Sequence, residues 1–337
     1  MKIVITGGLG YIGMELAKLY SGKSRVHSIS IIDNSFYSQR VAQIKRWGID
    51  FIQADILDKT KMKQHLADAD IIYHLAGITD VSTTVHDINK KKDKQVREVG
   101  INGTKNILKY SSNKSKIIFP STHVIFEGLK KVKKNIDENY EPMPILEYAK
   151  GKAKSEQDIA NSGKNFVILR LGSVYGNSYD STRLNIMPNL FTKISSENGI
   201  IKLFSKGEQL KSLVAVKDVA RAMMHTGENE QIKNQVFNLV GENLTVRQVA
   251  EICKKINKQL TIELTNDPIP NKGYTLSNQK IKKEGFKFLY NFKDEARDFI
   301  SDVKNIEKIY DNELLEQGTN DFVDGRGIIS NYYMNDY

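Results

Sequence analysis

The chain has one cysteine, Cys253, in 337 residues. A lone thiol excludes an intrachain disulfide framework and any structural zinc site built on several thiolates, and no metal site is expected. Proline is scarce at 6 residues and glycine stands at 23, which excludes collagen-like and low-complexity chains. Apolar residues reach 40% and charged residues 27%, too apolar a balance for a disordered chain. No apolar run approaches the roughly 20 residues that span a bilayer. The opening Met1-Lys2-Ile3-Val4-Ile5-Thr6-Gly7 is a buried strand meeting a glycine turn, unlike a signal peptide. A soluble, cytoplasmic protein with no membrane partner is expected.

The net charge is +10, but the basic residues are scattered. Clusters occur at Lys90-Lys91-Lys92 and at Lys130-Lys131-Val132-Lys133-Lys134, neither interleaved with aromatics. There is no helix-turn-helix, zinc-finger or RRM signature, so nucleic acid is not an expected partner. A solvated lysine-rich surface is the reading, and its field would help draw in a diphosphate-bearing substrate.

The first half alternates β-branched runs with helical patterns, which implies βαβ units around a parallel sheet. Strands are expected at Lys2–Thr6, Ser28–Asp33, Asp50–Gln53, Ile71–Leu75, Lys116–Pro120 and Asn165–Leu169. Helical stretches at Ile12–Tyr20, Lys59–Ala67, Glu98–Ser111 and Tyr148–Ser162 separate them. The fold class is therefore α/β, a doubly wound parallel sheet of the Rossmann kind with a smaller α/β substrate-binding domain. Beyond Arg170 the alternation stops. A helix near Met187–Ser196, a strand near Ser212–Val216, a helix near Val219–Thr226, a strand at Val236–Val240 and a helix over Thr245–Lys258 are expected, with Thr245 as cap. The expected division is residues 1–173 with 218–240 as the dinucleotide-binding domain and 174–217 with 241–310 as the substrate domain, followed by a tail at 311–337.

Thr6-Gly7-Gly8-Leu9-Gly10-Tyr11-Ile12-Gly13 sits where a strand ends and a helix begins. Gly7 takes the turn, Gly10 admits a pyrophosphate, and Gly13 lets helix and strand pack closely. Tyr11 and Ile12 open a helix whose free N–H groups favour an anion. Twenty residues past Gly13 stands Asp33, whose carboxylate suits the ribose hydroxyls of NAD and repels the 2′-phosphate of NADP. Asn34 follows it. Asp55 and Ile56 are expected at the adenine edge, and Leu75-Ala76-Gly77 along the dinucleotide.

Tyr148 and Lys152 are four apart on one helix and project together. A neighbouring ammonium and an oxidised nicotinamide both favour the phenolate, so Tyr148 can exchange the proton of a sugar hydroxyl while hydride moves to or from the ring. Ser121-Thr122 falls just beyond the fifth strand, and Thr122 can hydrogen-bond the reacting oxygen.

With these residues in hand, the chain resembles an extended short-chain dehydrogenase/reductase of the NAD-dependent epimerase/dehydratase family, which acts on nucleotide sugars. The resemblance spans residues 1 to about 310 and rests on Thr6–Gly13, Asp33, His74-Leu75-Ala76-Gly77, Asn102-Gly103-Thr104, Ser121-Thr122, Tyr148 with Lys152, and Arg170 with Val174-Tyr175-Gly176. It implies NAD as cofactor, Thr122 and Tyr148 in the catalytic triad, and Lys152 holding the nicotinamide ribose. It also implies a nucleotide-diphosphate sugar as substrate and a homodimer through a four-helix contact. Asn102 joins the expected cofactor contacts, and Thr79, His123, Ser173 and Lys211 are the expected substrate contacts. Lys211 stands where the family often has arginine, and Ser173 where its 4-epimerases often have asparagine.

The family's 4,6-dehydratases carry Asp-Glu directly after the catalytic Thr. Here His123-Val124 follows, and Val124 transfers no proton, so dehydration is disfavoured. The glycine-rich opening is closest to 4-epimerases. Ser121–Gly128 resembles the corresponding segment of 4-ketosugar reductases, and a reductase is the alternative. A non-catalytic NAD-binding protein is the alternative of a different class. In the tail, Phe322–Gly327 is similar to the opening of cupin-type deoxysugar 3,5-epimerases.

Overall fold

The computed structural model describes residues 1–23, 26–79, 90–269 and 272–309. The expectations for the tail at 311–337 fall outside these residues. The first half runs β1 (Lys2–Thr6), α1 (Tyr11–Tyr20), β2 (Ser28–Asp33), α2 (Ser38–Arg46), β3 (Asp50–Gln53), α3 (Lys59–Leu66), β4 (Ile71–His74), α4 (Lys90–Tyr110) and β5 (Lys116–Thr122). Then follow β6 (Lys133–Ile136), α5 (Glu147–Ala160), β7 (Asn165–Leu171), β8 (Ser173–Tyr175), α6 (Met187–Ser196), β9 (Ile200–Leu203), β10 (Leu210–Ala215) and α7 (Val216–Glu228). The chain continues through β11 (Gln235–Leu239), β12 (Glu242–Thr245), α8 (Val246–Ile256), β13 (Thr261–Leu264), β14 (Tyr274–Leu276), α9 (Gln279–Lys283) and α10 (Phe292–Ile309).

Seven strands form one parallel sheet in the order β11-β7-β5-β4-β1-β2-β3. This is the doubly wound arrangement, with its switch point between β1 and β4, where ligands bind outside the strands' carboxyl ends. Strand alternation builds both faces. Ile3 and Ile5 of β1 point into a core with Met14 and Leu16 of α1 and Val219 and Met223 of α7. Val4 points to the other face, among Met62 and Leu66 of α3 and Ile107 of α4. A buried two-sided sheet needs such near-continuous apolar strands.

The three smaller sheets pair β12-β10-β8, β13-β9 and β14-β6. A second core joins Tyr175, Phe191, Leu203, Leu213, Val249, Cys253 and Phe292. Thr245 caps α8 through a reciprocal box: its hydroxyl accepts from Gln248 N at 3.1 Å, and its own N donates to Gln248 Oε1 at 2.7 Å.

Some bounds differ from expectation. The strand expected near Ser212–Val216 starts at Leu210, and the helix after it begins at Val216, packed on α1. α2 was not legible, because only Val41 and Ile44 of its nine residues are buried. Two apolar positions are too few for a periodic signal.

Candidate active site

The glycine turn follows from how closely β1 and β4 approach beyond their ends. Gly7 has φ 67°, and a Cβ there would lie 2.6 Å from the Ala76 backbone. A Cβ on Gly13 would lie 2.5 Å from Gly8, so α1 can leave the turn only with glycine there. No side chain caps α1 at Gly10, which leaves its first-turn N–H groups facing a cavity of about 640 Å³. That volume suits a ligand site.

Asp33 closes one end of this cavity. Its Oδ2 accepts from Leu9 N at 3.1 Å and its Oδ1 from Ser35 N at 3.0 Å. Burial pushes its carboxyl above the usual range, against these two bonds and the nearby Arg40 guanidinium. Arg40 donates to Leu9 O at 2.9 Å and lies over the Tyr37 ring, 4.2 Å from its centroid. Gly7, Gly10, Tyr11, Ile12, Gly13, Asn34, Asp55, Ile56, Leu75, Ala76 and Gly77 all line the same cavity.

Its other end is built from β5 and α5. Thr122 ends β5, and its Oγ1 accepts from Val124 N at 3.2 Å, so it also caps the turn that follows. The entrance to α5 lacks a side-chain cap at Leu146, and the Glu127 carboxylate accepts the Ile145 and Leu146 N–H groups in its place. Farther along α5, Glu156 grips Arg170 of β7, with Nη2 to Oε2 at 2.8 Å and both groups buried. Arg170 also donates to Glu138 O at 3.0 Å. These contacts fix the helix face that carries Tyr148 and Lys152.

Lys152 Nζ donates to Pro120 O at 2.8 Å and sits 4.4 Å from the Phe119 ring centroid. Burial lowers its pKa to about 8, with Glu156 opposing. Tyr148 is half-buried, and burial raises its pKa, while the Arg183 charge and a hydrogen bond from Thr122 lower it. The charge that favours the phenolate is thus a guanidinium from a different segment, where the ammonium of Lys152 was expected. Beneath the site, His74 is held between Thr6 Oγ1 and Thr104 Oγ1, both at 3.1 Å. Burial, helped by the Lys152 charge, lowers its pKa to about 3, so it is neutral.

Thr79, His123 and Ser173 line the cavity as well. His123 is seated by Ser173 Oγ at Nε2, 3.3 Å, and by Tyr274 OH at Nδ1, 3.1 Å, so it forms a fixed part of the wall. Two expected contacts lie elsewhere. Asn102 is exposed on α4, whose cavity-side stripe is Val99, Gly103 and Asn106, at i, i+4 and i+7. One residue off that stripe turns a side chain by about 100°. Lys211 is buried on β10, paired with β12, and does not line the cavity. Residues the sequence did not single out also line it: Tyr37, Arg40, Arg183 and Asn185. The last two lie in the irregular segment between β8 and α6, which has no periodicity to read.

The site's residues fit a dinucleotide. The uncapped start of α1 would hold the pyrophosphate, and the Asp33 carboxylate would hold the ribose. The buried Ser121 hydroxyl in the wall has no hydrogen-bond partner among the described residues. The sequence profile of the NAD dependent epimerase/dehydratase family matches residues 3–240. The chain belongs to that family.

Within the NAD dependent epimerase/dehydratase family, the chain is similar to the UDP-N-acetyl-alpha-D-glucosaminuronate decarboxylase of Bacillus cytotoxicus, at 24% identity over 94% of this chain and 95% of the relative. It is 25% identical to the UDP-glucose 4-epimerase of Mycoplasma genitalium, over 90% and 95%. The crystal structure of UDP-glucuronic acid 4-epimerase from Bacillus cereus, solved with UDP-glucuronic acid and NAD, shares the fold with a TM-score of 0.75 at 22% identity, covering 91% of this chain and all of that one. The chain is an NAD-dependent enzyme of the extended short-chain dehydrogenase/reductase type. NAD is its cofactor. Among the described residues no helix is long and apolar enough to cross a membrane.

Proposed function

We propose that this chain is a nucleotide-sugar 4-epimerase working by transient oxidation to a 4-keto sugar. The observation that carries the reading is that Thr122, Tyr148 and Lys152, from β5 and α5, line the same cavity as the glycine turn and Asp33. Bound NAD would supply the hydride acceptor and donor for the sugar carbon. Tyr148 takes the hydroxyl proton and gives it back. Thr122 bonds the phenol and favours its ionised form. Lys152, already anchored on Pro120 O, holds a positive charge beside the site and holds the nicotinamide ribose. No carboxylate follows Thr122: His123 is seated by Ser173 and Tyr274, and Val124 carries no proton, which argues against dehydration.

The likeness of Ser121–Gly128 to ketosugar reductases supports the second reading. One experiment separates the two. The protein as purified is assayed for bound NAD and incubated with UDP-glucose or UDP-glucuronate without reductant. An epimerase yields the C4 epimer with no net change in cofactor redox state. Net consumption of added NADH with a 4-keto sugar, and no inversion, would favour the reductase. We also propose the homodimer through a four-helix contact that the family resemblance implies, tested by sedimentation of the NAD-loaded protein.

A further inference from the structure

We propose that Glu127 is a positioning residue: its carboxylate fastens the start of α5 to the turn that follows Thr122, and so holds the Tyr148 phenol in register with the Thr122 hydroxyl. The proposal rests on the preceding reading of Thr122 and Tyr148 as the pair that handles the hydroxyl proton.

Beyond β5 the chain makes one 3₁₀ turn, His123–Phe126. Thr122 caps its start through Oγ1, and Glu127 closes its end, with Glu127 N donating to Val124 O at 3.0 Å. The Glu127 side chain then reaches the segment that leads into α5. Its Oε1 accepts from Ile145 N at 2.8 Å and from Leu146 N as well. Leu146 is the cap residue of α5 and has no side-chain cap of its own, and Tyr148 stands two residues later. A helix start leaves N–H groups without partners and carries the positive end of the dipole. A carboxylate there satisfies the donors and suits the field.

Main-chain bonds draw the same two stretches together. Met143 N donates to Ile125 O at 2.7 Å, and Gly128 N to Met143 O at 2.9 Å. Glycine at 128 admits this approach, because a Cβ there would run into Met143 O. The stretch Ser121–Gly128 thus has a shared purpose: Thr122 supplies the hydroxyl, Glu127 the clasp and Gly128 the room. Glu127 itself is only 6% exposed and does not line the cavity, so it acts through the turn that it holds. The hydrogen bond from Thr122 is one of two influences that favour the Tyr148 phenolate, and it depends on the register of α5 against β5. A misplacement of about 1 Å costs on the order of 10²-fold in rate.

The test compares Glu127→Ala and Glu127→Gln in the NAD-loaded protein. Both N–H groups bond one oxygen, and an amide oxygen has two lone pairs, so the glutamine variant keeps the clasp that the alanine variant loses. The readout is the Tyr148 titration, taken as the absorbance difference between each protein and the same protein carrying Tyr148→Phe. In Glu127→Ala the phenol is expected to titrate about 0.5–1 pH unit higher, the worth of one lost hydrogen bond. Where the protein inverts UDP-glucose or UDP-glucuronate, kcat of the folded fraction is expected to fall at least about tenfold with KM unchanged. Glu127→Gln is expected to match the wild type in both. Glu127→Asp, one methylene shorter, is expected to fall between them and carries the test should the alanine variant not fold. A purely structural Glu127 would lower the unfolding midpoint and leave the phenol titration at its wild-type value, which would overturn the proposal. So would a glutamine variant no better than alanine. The titration is read without turnover, so a protein that inverts no carbon would sink the epimerase reading alone.

Discussion

Lys152 and Pro120 meet across 32 residues of chain, the ammonium donating to the carbonyl at 2.8 Å. This bond ties the catalytic face of α5 to the end of β5, one residue before Ser121 and two before Thr122. The same burial that makes the bond costly to break also makes the amine easier to deprotonate, lowering its pKa from 10.5 to about 8.

Two readouts should therefore move in opposite directions as pH rises from about 8 to 10.5. In that window the unfolded chain binds the Lys152 proton more tightly than the folded one, so this residue's contribution to stability rises with pH. NAD affinity should fall, because the charge that holds the ribose is lost, by a factor approaching tenfold per pH unit for one proton. Fluorescence titration of the cofactor-free protein with NAD checks this. The Lys152→Met variant should lack the alkaline limb, and an unchanged limb would reject the role of Lys152.

Tyr148→Phe should keep the fold and the NAD content while turnover falls roughly 10²–10⁴-fold, the usual worth of a positioned acid–base group. Thr122→Val removes one of the two influences that favour the phenolate. Its pH–rate profile should shift to higher pH, with a smaller loss of rate. Steady-state rates across pH check both. Wild-type turnover in Tyr148→Phe would end the assignment.

Gly7→Ala should abolish NAD binding and cost about 1–3 kcal/mol of stability. The cause is double: a left-handed φ of 67° and a Cβ placed 2.6 Å from Ala76. Urea unfolding and NAD titration of the same preparation measure the two effects. Gly100→Ala is the control, since nothing lies within 4 Å of a Cβ there and Gly100 does not line the cavity.

Glu156→Ala strands the buried Arg170 guanidinium and should cost about 3–5 kcal/mol. Because Glu156 lies one turn beyond Lys152 on α5, the surviving folded protein should also bind NAD more weakly. Equilibrium unfolding of the variant, compared with that of the Glu156→Ala/Arg170→Met pair, checks the coupling. The double variant should recover part of the loss, and no recovery would mean the pair is not what anchors the helix.

The sheet strands and the cofactor end of the site were legible in the sequence because they are set by local rules. Near-continuous β-branched and apolar runs make strands buried on both faces, and the glycine turn marks a close backbone approach, so β1–β5, Gly7, Gly13 and Asp33 stand where the residues put them. Tyr148 and Lys152 were readable for the same reason, being one helical turn apart. Long-range choices were not readable. Asn102 and Lys211 turn away from the cavity because helix phase and strand pairing, settled by contacts with Ile56 and β12, decide which way a side chain faces. Arg183 comes into the cavity for the converse reason. Its segment has no period, and only its ties through Asn189 to Tyr11, 178 residues away, bring a guanidinium to the phenol. Local sequence determined the scaffold and its cofactor turn. Tertiary packing decided which charges share the cavity, because burial and charge placement depend on neighbours that the chain brings together only when it folds.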